Sequence, residues 1–188
     1  NRLHDELHKQ TAHQINLLND WLKKLTATDD SKEKRELLRR IVVVGAYLKR
    51  RNNLILVNEE DGIIKEEELI LSIQEMVKNL QLAGIPCASS VQFGKDLPTD
   101  VAMRLFAFYE YVVENAFDGL RYLLARFFYR DDCFYACVDA VCSLDLTSLG
   151  SENISVSQSD ENCYTISLKL NKCFLATINT VEQSHFLK

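Results

Sequence analysis

The 188-residue chain lacks several features that would assign it to a large class of proteins. It contains no apolar run of membrane-spanning length and no signal peptide. Its net charge of −5, without a clustered basic face, argues against nucleic acid as a partner. We therefore expect a soluble, cytoplasmic chain of one or two small domains that makes no membrane contact over this length.

Cysteine pairs at metal-binding spacing are also missing. The six cysteines form no Cys-x-x-Cys motif and have no partner histidines at zinc spacing, so we expect no metal site. Buried thiols in a reduced chain are the expected alternative. The cysteines are Cys87, Cys133, Cys137, Cys142, Cys163 and Cys173.

Apolar periodicity predicts that the first third of the chain is a helical hairpin. Apolar residues recur at three- and four-residue steps over residues 3–25, polar turn formers interrupt them, and a second helix is expected over 31–57. Two long helices joined by a short turn form an antiparallel hairpin. Because the second helix is apolar around most of its circumference, we expect a homodimer in which two hairpins build a four-helix bundle.

The sequence pattern of the remaining chain predicts a small layer of helices and strands. A helix at about 65–83, a strand at 87–93 and an apolar helix from a Thr99 cap to about Gly119 are expected. Two β-hairpins follow, at 122–141 and 153–170. The expected fold class is α+β, with a dimerisation hairpin at 1–60 and a small α/β sandwich at 61–188 whose helices cover one face of a mostly antiparallel sheet.

The sequence His4-Asp5-Glu6-Leu7 opens the first helix. A histidine is a nucleophile toward a phosphoryl group when one ring nitrogen is exposed and unprotonated. A neighbouring carboxylate can orient the ring and take up its proton, and Asp5 lies about 100° round the helix from His4. The pattern therefore makes His4 and Asp5 a candidate phosphoryl-accepting pair.

Arg2-x-His4-Asp5-Glu6-Leu7 at the head of a dimerising hairpin resembles the phosphoacceptor box of bacterial sensor histidine kinases of the His-Asp-x-Leu type. The resemblance implies that His4 accepts the phosphoryl group and that Asp5 is its base. His8 and Lys9 depart from the family, which often has Gly and then Gln or His after the Leu, the latter placing water for phosphatase activity.

The same resemblance implies an ATP-binding domain after the hairpin. Glu110, Glu114 and Asn115 resemble the family's nucleotide helix, which carries a magnesium-binding asparagine: Asn115 matches the position of that asparagine in one subfamily, and Asp118 its position in another. An Asp-x-Gly-x-Gly turn and a glycine-rich lid should follow, yet only Gly150 comes after Gly119. Asp139 alone stands where the adenine-binding aspartate is expected. The resemblance thus implies a degenerate ATPase-like domain without ATP or Mg²⁺ as a working cofactor.

With that domain degenerate, the chain resembles sporulation-type histidine phosphotransferases. The expected function is phosphotransfer in a two-component system between His4 and the receiver domain of a response regulator. Two alternatives stay open: a non-catalytic dimerisation and interaction module, and an active sensor kinase with an atypical nucleotide site. Because the chain opens on Asn1 within a helical pattern, we expect a fragment, which could be the cytoplasmic part of a membrane-bound sensor.

Overall fold

The computed structural model describes the backbone of residues 2–57 and 62–171 and the side chains of residues 11–56 and 62–171. The helices in these ranges are α1 (Arg2–Ala27), α2 (Ser31–Val57), α3 (Glu66–Leu82) and α4 (Thr99–Ala116). The strands are β1 (Ile63–Ile64), β2 (Cys87–Gln92), β3 (Leu97–Pro98), β4 (Leu120–Arg130), β5 (Cys133–Cys142), β6 (Ile154–Asp160) and β7 (Cys163–Asn171). The α+β class expected from the sequence is confirmed.

Helices α1 and α2 form the expected antiparallel hairpin, joined by residues 28–30. Asp30 begins α2, because its Oδ1 accepts a hydrogen bond from the backbone N–H of Lys32 at 2.7 Å. Further along the hairpin, the buried Arg51 guanidinium of α2 donates to the Thr11 hydroxyl of α1. The expected helices at 3–25 and 31–57 are therefore confirmed to within two residues at each end.

Helix α2 is covered by more of its own chain than the sequence suggested. Lys49 and Arg50 of α2 both contact the Glu75 carboxylate of α3. On another side, the Tyr47 ring of α2 stacks on Phe106 of α4 with 5.0 Å between ring centroids. The single-chain hairpin is present, and the four-helix bundle made by two chains stays a prediction.

The start of α4 differs from the sequence-based expectation. Thr99 is not its cap: Pro98 is the N-cap residue, and Thr99 is the first helical residue. The Thr99 N–H instead donates to the Gly62 carbonyl at 3.0 Å, beside the short antiparallel pair of β1 and β3. Each of these two strands has only two residues, which is too few for an alternating apolar pattern to be recognised in the sequence.

The five longer strands form one sheet in the order β2-β4-β5-β7-β6. Strand β2 runs parallel to β4, and the other neighbours are antiparallel. Both expected hairpins are confirmed. Asp131 and Asp132 turn the first one with φ angles of 50° and 56°, and Asn162 lies in the second turn with φ of 65°.

The hydrophobic core lies between this sheet and the helices. Alternate residues of β5 are buried on the face that carries α4, among them Phe134, Ala136 and Val138. Buried residues of α2, including Val43 and Tyr47, belong to the same continuous cluster. The hairpin thus shares its core with the sheet layer, and the division into domains at 1–60 and 61–188 stays a prediction.

Gly119 lies between α4 and β4, where the backbone comes close to Ser143 and Leu144. A Cβ atom at this position would lie 2.9 Å from the backbone nitrogen of Leu144 and 2.7 Å from the Ser143 hydroxyl. The Gly119 carbonyl also accepts the Ser143 N–H at 3.0 Å, which holds the two segments together. A side chain at residue 119 therefore requires the backbone around Ser143 to shift.

We predict that Gly119→Ala lowers the free energy of unfolding by about 1–3 kcal/mol, because the added methyl group overpacks this contact. Chemical denaturation followed by circular dichroism measures the change. Gly45→Ala is the matched control: a Cβ there meets nothing within 4 Å, so removing a helix-interior glycine should stabilise the chain by about 0.5–1 kcal/mol. Equal effects of the two substitutions would contradict the steric argument.

Candidate functional site

A cavity of about 210 Å³ lies between the hairpin and α4. Helix α1 contributes Trp21, the single tryptophan of the chain. The remaining lining residues come from α2, α4 and the residue that follows α4: Arg40, Val43, Val44, Tyr47, Glu110, Val113, Glu114 and Phe117. The cavity therefore combines apolar walls with two carboxyl groups.

Glu110 is the buried acid of this cavity. It sits in α4 between residues of the core, and its side chain is buried. Burial and, to a smaller extent, the neighbouring Glu114 carboxyl raise the pKa of the Glu110 carboxyl to about 8, although the Arg51 guanidinium opposes the shift. The Gln14 amide of α1 donates a hydrogen bond to Glu110 Oε1. Residues from three helices thus meet at one carboxyl group.

The guanidinium of Arg51 interacts electrostatically with the Glu110 carboxyl, and the Arg51 side chain is completely buried. Its guanidinium stands over the Tyr47 ring, 5.3 Å from the ring centroid. Burial and the nearby Glu110 carboxyl raise the pKa of the Tyr47 hydroxyl, whereas its interaction with the Arg51 guanidinium opposes the shift. The cluster of Gln14, Tyr47, Arg51 and Glu110 is the polar centre of the contact between hairpin and sheet layer.

The residues that resemble a nucleotide site lie at the C-terminal end of α4 and beyond it. Glu114 and Asn115 are exposed. The Asn115 amide donates to the Tyr111 carbonyl one turn earlier at 2.7 Å, and the Asp118 carboxylate forms an ion pair with Arg40 of α2. Glu114 lines the cavity beside Glu110, whereas Asn115 and Asp118 do not. The three residues therefore do not converge on one site.

Asp139 has no access to the α4 side of the sheet. In β5 it alternates with the buried residues Val138 and Ala140, so it projects from the opposite face. Arg126 donates to its Oδ2 at 2.7 Å and the Thr165 hydroxyl donates to its Oδ1 at 2.7 Å. Asp139 therefore belongs to a cross-strand network, and its interpretation as a remnant of an adenine-binding aspartate stays a prediction.

A second, open groove of about 770 Å³ runs from the turn between α1 and α2 to the start of β4. Four basic side chains line it: Lys32, Arg39, Arg40 and Arg121. Four acidic side chains line it as well: Asp30, Glu33, Glu36 and Asp118. Since the charges balance, the groove offers no excess of positive charge for a polyphosphate.

The two residues proposed to carry phosphoryl chemistry lie near the start of α1. His4 and Asp5 belong to that helix, but their side chains fall outside the described ones. Thr11, two helical turns further on, is the first residue of the hairpin whose side chain is described. The assignment of roles to His4 and Asp5 therefore stays a prediction from the sequence.

Sequence reasoning missed most of the buried polar cluster. Glu110 was grouped with the residues of a nucleotide helix, and Gln14 and Arg51 were not recognised. A signal was present in the spacing, because Gln14 falls three and four residues from the half-buried Thr11 and Leu18. A polar residue on an apolar stripe indicates a buried hydrogen-bonding partner elsewhere in the fold.

No helix in the described ranges is long and apolar enough to cross a membrane. Over the same residues, no group of three or more His, Cys, Asp or Glu side chains is arranged to hold a metal ion. Five cysteines are described, and all five are free thiols. Cys173 lies outside the described residues.

Three solved structures with which the chain shares similarity are histidine kinase or phosphotransferase domains. A bacterial phosphotransferase gives a TM-score of 0.49 at 13% identity, covering 88% of this chain and 95% of that one. The blue-light-activated histidine kinase of Erythrobacter litoralis EL346 gives 0.45 at 9% identity, with 88% and 92% covered. The histidine kinase ThkA, in complex with the response regulator TrrA, gives 0.41 at 11% identity, with 92% and 61% covered.

All three TM-scores lie below 0.5. No protein-family model matches the chain. No curated protein matches it either.

The raised pKa of Glu110 predicts a specific dependence of stability on pH. A carboxyl group whose pKa is higher in the folded state than its ordinary 4.5 binds its proton more tightly when folded. Its contribution to stability is fully present below about pH 4.5 and is lost as the pH rises through about 8. We therefore expect the melting temperature to fall over this window in the wild-type chain.

Glu110→Gln should flatten that dependence and raise the melting temperature at about pH 8, because the amide keeps the shape and cannot ionise. Thermal unfolding between about pH 5 and about pH 8, followed by circular dichroism, measures both effects. Glu161→Gln, at an exposed turn, is the control that should retain the wild-type slope. A Glu110→Gln slope identical to the wild-type slope would contradict the assignment.

Proposed function

We propose that the chain is a histidine phosphotransfer module of a two-component system. The proposal rests on the His-Asp-x-Leu pattern of residues 4–7, which opens a helix of 26 residues in an antiparallel hairpin. In this role His4 is the phosphoryl acceptor and Asp5 its base. The partner is the receiver domain of a response regulator.

One observation favours transfer from another protein over autophosphorylation. Asp118 is paired with Arg40, Asn115 is bonded to the backbone of its own helix, and Asp139 lies on the far face of the sheet. Asp118 and Asp139 are therefore held in contacts within the chain, and the sequence has no Asp-x-Gly-x-Gly turn or glycine-rich lid after Gly119. A receiver's aspartyl phosphate supplies an activated phosphoryl group without a nucleotide, so we propose that the module uses no ATP.

The proposed step begins when an unprotonated ring nitrogen of His4 attacks the phosphorus of the receiver's aspartyl phosphate. A P–N bond forms, the P–O bond breaks and the receiver's aspartate leaves as a carboxylate. Asp5 accepts the proton from the second ring nitrogen as positive charge develops on the imidazole. The reverse step passes the phosphoryl group from His4 to a receiver.

We predict that His4→Gln abolishes phosphoryl exchange, with labelling at least about 100-fold lower because the amide is not a nucleophile. The assay uses receiver domains from the source organism, charged with radiolabelled acetyl phosphate, and follows transfer of label to the 188-residue chain. His13→Gln is the matched control, since His13 is an exposed histidine of the same helix. Undiminished labelling of the His4→Gln chain would leave only a scaffolding role.

Titration with ATP in the presence of Mg²⁺ separates phosphotransfer from kinase activity. We expect no binding at micromolar concentrations, because Asp118 is held in an ion pair with Arg40 and the glycines of a nucleotide-binding turn and lid are missing after Gly119. Micromolar affinity, together with label transferred from ATP to His4, would instead identify a sensor kinase with an atypical nucleotide site. Neither result depends on finding the cognate receiver.

We also propose that the module works as a homodimer through the outer surface of its hairpin. Ile15 and Leu22 of α1 are each 47% exposed, and Leu38 and Val42 of α2 are 48% and 40% exposed. Within each helix the two residues are seven or four positions apart and so share one face. The contact between Thr11 and Arg51 sets the antiparallel register, which brings Leu22 level with Leu38 and Val42.

The double substitution Leu22→Glu and Leu38→Glu should convert this dimer into a monomer of 21.6 kDa, because it places charges in an apolar interface. Sedimentation velocity measures the mass of both chains at equal concentration. Leu82→Glu is the control, because Leu82 is 77% exposed at the end of α3, outside the hairpin. A wild-type chain that stays monomeric at all concentrations would contradict the dimer.

A further inference from the structure

We propose that Arg51 is a positioning residue for phosphoryl transfer at His4, because its hydrogen bond to Thr11 fixes the rotation and the axial position of helix α1. Arg51 does not touch the phosphoryl group in this proposal and acts through α1 alone. The inference rests on the proposed function, since the placement of His4 matters for chemistry only if the chain exchanges phosphoryl groups with a receiver.

His4 and Thr11 belong to one continuous helix, which runs from Arg2 to Ala27. The two residues are seven positions apart, which is about two turns and about 10 Å along the helix axis. Residues seven positions apart also lie on nearly the same side of a helix. Because a helix rotates and slides as a unit, a contact that fixes α1 at Thr11 also sets the place of residue 4 on the hairpin.

Two contacts hold the Arg51 guanidinium in place between the hairpin and α4. It donates to the Thr11 hydroxyl of α1, and the whole Arg51 side chain is buried. It also stands over the Tyr47 ring, 5.3 Å from the ring centroid, and that ring stacks on Phe106 of α4. The position of α1 is thereby tied to α2 and, through the Tyr47 ring, to α4.

Gln14 makes a second polar contact of α1, about one turn after Thr11. The Gln14 side chain is buried, and its amide donates to the Glu110 carboxyl of α4. Thr11 is therefore held by α2, and Gln14 is held by α4. Hydrogen bonds are directional, so two of them to two different helices restrict both the rotation of α1 about its axis and its sliding along that axis.

Apolar packing contributes less to the position of α1 near this cluster. The cavity of about 210 Å³ lies against Trp21 of α1 and against Val43 and Val44 of α2. Side chains that line a cavity make fewer close contacts across it than side chains in a packed core. The hydrogen bonds of Thr11 and Gln14 therefore provide much of the restraint on α1.

Stability does not explain why a guanidinium occupies this buried position. Glu110 is largely protonated at neutral pH, because burial raises its pKa to about 8. The Thr11 hydroxyl is a neutral partner, and the Nε and Nη1 of Arg51 have no hydrogen-bond partner among the described residues. Replacing a buried charged group by an apolar side chain is often neutral or stabilising. The contacts of Arg51 therefore favour a role in specifying the position of α1.

Three substitutions in the full 188-residue chain test this role. Thr11→Val removes the hydroxyl and keeps the shape, Thr11→Ser keeps the hydroxyl, and Arg51→Met removes the guanidinium. The assay follows radiolabel from a receiver domain that labels the wild-type chain. Varying the receiver concentration separates the maximal rate of transfer from the receiver concentration that gives half of that rate.

We expect Thr11→Val and Arg51→Met to lower the maximal rate about tenfold or more, because a small displacement of a reacting group slows its reaction strongly. The half-saturating receiver concentration should stay unchanged, because the buried Arg51 side chain offers no surface to a receiver. Thr11→Ser should transfer label at the wild-type rate, since it retains the acceptor oxygen.

Thermal unfolding distinguishes positioning from a merely structural role. At about pH 7 the melting temperature of Arg51→Met should equal or exceed that of the wild type, because the substitution removes a buried charge. Arg130→Met is the matched control. Arg130 is an exposed arginine of β4, so its replacement should change neither the transfer rate nor the melting temperature.

Four results would overturn the inference. Wild-type transfer by the Thr11→Val chain would mean that the hydrogen bond has no effect on His4, and equal losses in Thr11→Val and Thr11→Ser would mean that side-chain volume matters instead. A change in the half-saturating concentration alone would identify an effect on receiver binding. A fall in both rate and melting temperature of Arg51→Met would identify a role in stability.

Failure of the proposed function gives a different result. In that case the wild-type chain itself takes no label from any receiver, and the inference about Arg51 is overturned together with the function. In each of the four results above, the wild-type chain is labelled and only the comparison with the variants fails.

Discussion

The burial of the Glu110 carboxyl is the constraint that relates the hairpin to the sheet layer. Its place in α4 is one that an apolar side chain would normally fill, and the group is accommodated there by an amide from α1 and a guanidinium from α2. Leaving a buried polar group without its hydrogen-bond partner typically costs about 1–3 kcal/mol. We infer that these polar contacts select the register in which the three helices meet.

That register explains why α2 is apolar around so much of its circumference. One side of it faces α1, another is held to α3 by Glu75, and a third packs on α4 through Tyr47. Most of the surface that suggested a second chain is therefore buried within this one. The residues left over on the hairpin, such as Leu22 and Leu38, form a narrower surface than a whole apolar helix face would provide.

The sequence predicts a helix or strand well when its apolar pattern repeats several times. It does not predict an element whose position depends on a single contact. The hairpin of α1 and α2 and the two β-hairpins were predicted because each carries several apolar repeats or a clear turn. The β1–β3 pair and the entry to α4 depend on two residues per strand and one backbone hydrogen bond at Thr99. Likewise, the burial of Glu110 depends on residues 96 positions apart, which no local pattern connects.

The same distinction applies to the chemistry. Asp118, Asn115 and Asp139 occupy positions in the sequence that suggest a nucleotide site, and sequence spacing cannot show whether their side chains are free. In the fold Asp118 pairs with Arg40, the Asn115 amide donates to the Tyr111 carbonyl, and Asp139 accepts from the Thr165 hydroxyl of the neighbouring strand. A carboxylate that stabilises an ion pair must give up that pair to bind Mg²⁺. This is the physical reason for proposing that the phosphoryl group comes from another protein and not from ATP.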